Sequence, residues 1–177
     1  MILQFDQDVF KIRQAMEKDL DSVLQLLRQA AIWLQSKGTD QWSYYISDLE
    51  GEKPEVLESI KNNSTYILEK EEEVIASITL EEHPIEWDRL VWEEKANEPG
   101  MVYLHRIVVN REYAGKDIGI QLIDWAKDFV QEKGKKCIRF DCLASNQGLN
   151  DYYQRKYERN AIVTVYGGQH SRYEIIV

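Results

Sequence analysis

The sequence predicts an α/β protein, and three observations predict it. An apolar strand, Val102 to Val109, runs through a short polar loop into Ala114-Gly115-Lys116-Asp117-Ile118-Gly119 and on into an amphipathic helix. Two more strands, Thr65 to Lys70 and Val74 to Leu80, flank an acidic turn and read as an antiparallel hairpin. Helical and strand periods alternate along all 177 residues with no repeat, low-complexity run or linker, so residues 1–177 are expected to form one domain.

The elements follow in order. Phe10 and Ile12 alternate with Lys11 and Arg13 as in a strand, and Asp19 opens a helix with Leu20, Val23, Leu24, Leu27, Ala30, Ala31 and Leu34 inward, ended by Gly38. Pro54 is expected to begin a shorter helix carrying Val56, Leu57 and Ile60, closed by Asn62-Asn63-Ser64. The hairpin comes next. His83 to Asn97 is a charged insertion holding Trp87 and Trp92, without a clear period, and is expected to be a mobile lid. The helix after the glycine turn places Ile118, Leu122, Trp125, Ala126, Phe129 and Val130 on one face and stops at Gly134. A strand from Lys136 to Leu143, a helix from about Leu149 to Arg159, and strands Ala161–Tyr166 and Arg172–Val177 joined by Gly167-Gly168 complete the chain.

Composition excludes several functions. The formal charge of −9 and a pI near 4.9 argue against a general nucleic-acid binder and favour a cationic or amine partner. No run of eighteen apolar residues exists and the N-terminus lacks a basic n-region, so neither a membrane span nor export by a signal peptide is expected. Cys137 and Cys142 lie roughly 16 Å apart on opposite faces of one strand and cannot bridge, which fits the reducing cytoplasm. His83, His105 and His170 show no metal-ligand spacing, so no metal site is expected. The loop matches neither the P-loop pattern nor the dinucleotide fingerprint.

A strand entering a helix through a glycine turn aims unpaired N–H groups and the positive end of the helix dipole at one spot, where a phosphate can sit. The bland alternative is a tight turn and a close helix-to-sheet contact. His105 is the candidate base, because imidazole titrates near neutrality and alternation puts it with Tyr103, Ile107 and Val109 on one strand face. A packed histidine beside Arg106, or a base supplied by Glu81 or Glu82, is the alternative. Cys142 beside Asp141 reads as a core residue rather than a nucleophile.

The element order, with its glycine turn, resembles the GNAT superfamily of acyl-CoA-dependent N-acetyltransferases from about residue 9 to 177. The family's Q/R-x-x-G-x-G/A loop falls on Ala114, Gly115, Lys116, Asp117, Ile118 and Gly119, and Asn146 with Tyr153 seven residues later looks like its N-x6-Y-E-x-x-G-F helix. The segment Trp33-Leu34 with Gly38, Gln41 and Trp42, and the run Leu104-His105-Arg106-Ile107, are similar to small bacterial members. The sequence departs from the pattern at Ala114, at Asp117 and at Lys156-Tyr157-Glu158.

The resemblance implies a mixed central sheet with helices on both faces, and acetyl-CoA as cosubstrate. It assigns Gly115 to Ile120 to the pyrophosphate through backbone N–H groups, Ile107, Val108 and Val109 to the pantetheine amides, and Asn146 to the pantetheine arm. Tyr153 would face the thioester sulfur as proton donor, or else serve as a buried aromatic anchor. Attack by the amine would be direct, with N–H groups near Val109 polarising the carbonyl. Trp42 and Tyr44 fall where the family builds its acceptor pocket, and could hold an amine by cation–π contact or simply pack in the core. The implied partner is a small-molecule or peptide amine, with a homodimer left open. The rival expectation is an acyl-CoA-binding sensor or interaction module without turnover.

Overall fold

A computed structural model describes residues 2–5 and 8–177. The chain forms two compact units, Met1–Leu80 with Arg106–Gly119, and Glu81–His105 with Ile120–Val177.

In the first unit β1 (Ile2–Phe5), β2 (Asp8–Gln14), β3 (Thr65–Lys70) and β4 (Glu73–Glu81) pair antiparallel in sequence order. The sequence reading missed β1, which is defined by its ladder to β2 (Ile2↔Lys11, Phe5↔Asp8) rather than by a period of its own. The apolar stripe of α1 (Leu20–Ser36) packs with Val56 and Ile60 of α3 (Leu49–Lys61), Ile67 of β3 and Tyr45 of α2 (Tyr44–Ser47). Leu27 and Ile67 are fully sealed. Burial of this kind stabilises by about 1.5–3 kcal/mol per large aliphatic side chain, an upper estimate against a compact unfolded chain.

The second helix begins earlier than expected. Asp48 accepts from the Gly51 amide at 3.0 Å and caps α3, so Pro54 lies inside the helix rather than at its start. The β3–β4 turn is Glu71-Glu72, both with positive φ (50° and 70°), the conformation of a two-residue hairpin loop of primed type.

The second unit orders its strands β5, β6, β8, β7. The N-terminal part of β5 (Met101–Val109) runs parallel to β6 (Cys137–Leu143), and β8 (Gly168–Ile176) is antiparallel to both β6 and β7 (Arg159–Val165). The α/β class and mixed strand pairing expected from the sequence are therefore borne out. The last helix, α6, is Gln147–Gln154, shorter than expected, and the β7–β8 turn is Tyr166-Gly167, with Gly168 already paired to Val165. Cys137 and Cys142 are buried free thiols of β6.

The insertion is not a lid. It forms α4 (Glu86–Trp92) and a 3-10 turn, Glu93–Asn97, with Val91, Trp92 and Ala96 buried against Tyr103 and Val165. Trp92 lies under two guanidinium groups, Arg139 at 4.6 Å and Arg172 at 5.0 Å from its ring centre. The indole is thus covered by cations that β6 and β8 supply, partners a local period does not show.

Candidate active site

The site is built first from the end of β5. Arg106 has φ +48°, and its guanidinium donates to Glu55 at 2.7 Å and to the Ser59 hydroxyl. That left-handed residue breaks the strand's alternation, so the expected common face of Tyr103, His105, Ile107 and Val109 ends at His105. Beyond it Val108 turns into the first unit's core at 4 % exposure while Ile107 and Val109 stay partly open.

A clamp unnoticed in the sequence then fixes the loop. The Asn110 amide donates to Ile75 O at 2.7 Å, and the Asn110 side chain accepts from Glu112 N at 3.0 Å. Gln29 of α1 accepts from the Arg111 amide at 2.9 Å. After a 3-10 turn at Arg111–Tyr113, Ala114 is extended, Gly115 has φ +81° and Asp117 φ +52°, and α5 (Ile118–Glu132) begins. A Cβ at Gly115 would meet nothing within 4 Å, so its backbone conformation, not crowding, calls for glycine. Asp117 occupies the second left-handed position, where the family pattern has glycine; an aspartate tolerates it at a cost of about 1 kcal/mol.

Within the second unit, the Ile120 amide donates to the Tyr152 hydroxyl at 2.9 Å, so one of the N–H groups expected to meet pyrophosphate is held by a side chain of α6. Asn146 caps α6 by accepting from Leu149 N at 3.2 Å. Four residues on, Asn150 donates to Leu143 O and Asn146 O, both at 2.9 Å, and accepts from the Tyr173 hydroxyl at 2.8 Å. Tyr153 packs in an aromatic cluster with Phe140 (4.9 Å) and Tyr173 (5.6 Å). Burial holds its phenol well above the usual value, so it stays protonated.

His105 Nε2 lies 3.1 Å from Asp88 Oδ2, an oxygen that also accepts the Ile85 amide at the start of α4. Glu82 forms ion pairs with Lys133 (2.9 Å) and Lys135 (2.7 Å), which lower its carboxyl to about 2 and leave it a poor base. A pair absent from the sequence reading joins His170 Nδ1 to Asp141 Oδ2 at 3.0 Å, while Trp87 Nε1 donates to Asp141 Oδ1 at 3.0 Å. These residues lie 29 and 54 positions apart, so no local spacing announces them.

Trp42 and Tyr44 do meet around Tyr45, with ring centres 6.0 and 4.7 Å from it. Trp42 packs on the core of α1 and α3, whereas Tyr44 remains 43 % exposed. A groove of about 940 Å³ in the first unit includes Arg13, Asp19, Gln25, Gln29, Glu69 and Asn110. Its charges are already matched, with Arg13 donating to Asp19 at 2.7 Å and to Glu69 at 2.5 Å. Among the described residues no His, Cys, Asp or Glu group could hold a metal ion, and no helix is long and apolar enough to cross a membrane.

The chain is similar to known acetyltransferases at each level of comparison. It is 32 % identical over 148 residues to the uncharacterised N-acetyltransferase YesJ of Bacillus subtilis, covering 84 % of this chain and 81 % of that one. An S-(2-succino)cysteine N-acetyltransferase of the same organism is 24 % identical over 148 residues, with 82 % of each chain covered. A GNAT-family acetyltransferase structure from Listeria monocytogenes superposes with TM-score 0.81 at 25 % identity over 100 % of both chains. The fold is shared by a PaiA N-acetyltransferase from Thermoplasma acidophilum in complex with coenzyme A, with TM-score 0.69 at 19 % identity over 92 % of this chain and 97 % of that one. The acetyltransferase (GNAT) family profile matches residues 25–157, from within α1 through the left-handed loop to the end of α6, and the chain belongs to that family and is an acetyltransferase.

Proposed function

We propose that residues 1–177 work as one N-acetyltransferase domain that moves the acetyl group of acetyl-CoA directly to an amine in the cytoplasm. The observation that carries this reading is the turn at Gly115 and Asp117, where two left-handed residues lead into α5 inside the family-matched span. In this reading Gly115 to Ile120 hold the pyrophosphate by backbone N–H groups, Ile107 to Val109 pair with the pantetheine, and Asn146 meets its arm.

The thioester supplies an activated acyl group, and the protein's task is to orient it, stabilise the oxyanion and manage protons. Amides near Val109 serve the oxyanion. Tyr153, kept protonated by burial, donates to the departing sulfur. His105 has Nε2 committed to Asp88, which leaves Nδ1 for any proton transfer. Trp42 and Tyr44 border the acceptor. A primary α-amine suits that acceptor, since one relative is named for a substituted cysteine and a fold neighbour from Salmonella typhimurium for the N-terminal serine of a ribosomal protein.

Calorimetric titration of acetyl-CoA tests the reading, followed by thiol release on a panel of amino acids, S-substituted cysteines, polyamines and serine-initiated peptides. One-site micromolar binding with turnover on one amine is expected, and Tyr153→Phe should lower kcat with little change in the acetyl-CoA Kd. Binding without turnover on any amine would favour a sensor; no binding up to millimolar would sink the cofactor.

A further inference from the structure

On one face of the second unit's sheet, Asp141 of β6 stands diagonal to His170 of β8, and Trp87 of α4 closes over both. Both oxygens of Asp141 are used, one by His170 Nδ1 and one by Trp87 Nε1, each at 3.0 Å. The indole edge also packs against the imidazole, with ring centres 4.9 Å apart at 72°. A carboxylate only accepts, so Nδ1 carries the proton and the lone pair of the neutral ring sits on Nε2. Among the described residues Nε2 has no hydrogen-bond partner, and the side chain is 12 % exposed. The residue nearest its tip is a glycine: a Cβ added at Gly168 would stand 3.5 Å from Nε2. The ring is thus held on two sides, with its outer nitrogen beside a residue that carries no side chain.

The His105–Asp88 pair is wired the other way. There Nε2 meets the carboxylate, and the nitrogen left over is Nδ1, next to the residue's own Cβ and main chain. Asp88 is besides engaged in closing the first turn of α4 through Ile85 N. One pair presents the far tip of an imidazole; the other presents only its inner edge.

We infer that His170 is the general base that takes the proton from the acceptor amine, with Asp141 and Trp87 as positioning residues. The inference rests on the acetyltransferase reading and extends it to a protonated amine as the acceptor's chemical class. An R–NH3+ group gives one proton to Nε2, and the freed lone pair forms the C–N bond at the acetyl carbonyl carbon. The C–S bond breaks with its electron pair passing to sulfur, the thiolate takes the Tyr153 proton, the second nitrogen-borne proton restores the phenol, and the first leaves Nε2 for solvent. Among the described residues, Asp141 of β6 is the charged group that meets the ring, Arg172 stands two positions along β8, Val163 of β7 lies opposite, and the element that supplies Trp87 also carries Asp88, paired with His105 of β5.

The test is the pH profile of kcat/KM, by thiol release, for the amine in the panel that turns over with acetyl-CoA. His170→Gln should lower kcat/KM by about a hundredfold or more at neutral pH and remove the acidic limb, with the acetyl-CoA KM unchanged. Added imidazole should restore part of the rate of His170→Ala. Asp141→Asn should reduce kcat less and keep the KM, and His105→Gln should retain the limb. Gly168 has no left-handed φ and room for a side chain, so Gly168→Leu should fold, bind acetyl-CoA as before and lose at least tenfold in kcat by covering Nε2. An acidic limb that persists in His170→Gln, or full activity in Gly168→Leu, overturns the base assignment while the acetyltransferase reading stands. Wild-type protein that releases no thiol with any amine overturns that reading, and the base with it.

Discussion

The N-termini of α5 and α6 are closed in different ways. Helix α6 is sealed by its own sequence: Asn146 caps Leu149 N, and Asn150 ties the first turn to β6 and β8 through two carbonyls and the Tyr173 hydroxyl. Helix α5 is entered through two left-handed residues, and the Ile120 amide is satisfied by a hydroxyl borrowed from Tyr152. A self-capped end is fixed when the chain folds. An end served by a removable side chain can exchange it for a ligand at the cost of one ordinary hydrogen bond.

The widest separation between the two ends should come from Asn150→Ala. It leaves the buried Tyr173 hydroxyl without its partner and removes one of two donors from the Leu143 and Asn146 carbonyls, which keep their backbone N–H bonds, and should cost about 2–3 kcal/mol in denaturant unfolding. Asp117→Gly should do the reverse at α5. Near 6 Å from a phosphate charge, the aspartate costs about 0.7 kcal/mol in water-like dielectric and about 3 kcal/mol at an effective dielectric near 20. Its removal should tighten acetyl-CoA by about tenfold, about 1.4 kcal/mol, with the fold intact; an unchanged Kd would place Asp117 away from the phosphates.

Asn146→Ala should lose about 1 kcal/mol of stability as a cap, and a several-fold weaker acetyl-CoA Kd measured beside it would add the pantetheine contact. Tyr152→Phe frees the Ile120 amide and should tighten acetyl-CoA by about threefold; weaker binding would make the hydroxyl a ligand contact instead of a placeholder. The smallest effect belongs just beyond the far end of α5, where Lys133 and Lys135 pair with Glu82. The Glu82 carboxyl is depressed in the folded chain, so its contribution is complete above about 4.5 and is lost as pH falls toward about 2. Because the pair is exposed, Glu82→Gln should cost less than about 0.5 kcal/mol at pH 7, with the two unfolding curves converging in acid.

Much of the fold was legible because burial imposes a period. The stripe of α1, the stripe of α5 and the β3–β4 hairpin all read correctly within a residue or two. What escaped depends on partners remote in sequence. The β1 strand exists by pairing with β2, and α4 looked like a charged loop because its Trp92 is buried under Arg139 and Arg172 from other segments. The kink at Arg106 is a single left-handed arginine held by Glu55 and Ser59, with no glycine to mark it. In the candidate site, the loop glycine was readable from local chemistry, whereas Asn146 was singled out only by the family resemblance and the helix it caps was expected from about Leu149. The Gln29 clamp on Asn110 and Arg111, like the Asp141 pair, joins elements that only the folded chain brings together.

The two cysteines make the protein convenient to assay. Both thiols are buried in β6, and burial pushes Cys137 up to about 11 and Cys142 up to about 12. Aromatic disulfide reagents react with thiolates, so native protein should contribute almost no background when such a dye reports released coenzyme A. In denaturant the same dye should count two equivalents per chain. A single colour reaction then measures turnover in buffer and the unfolded fraction in urea.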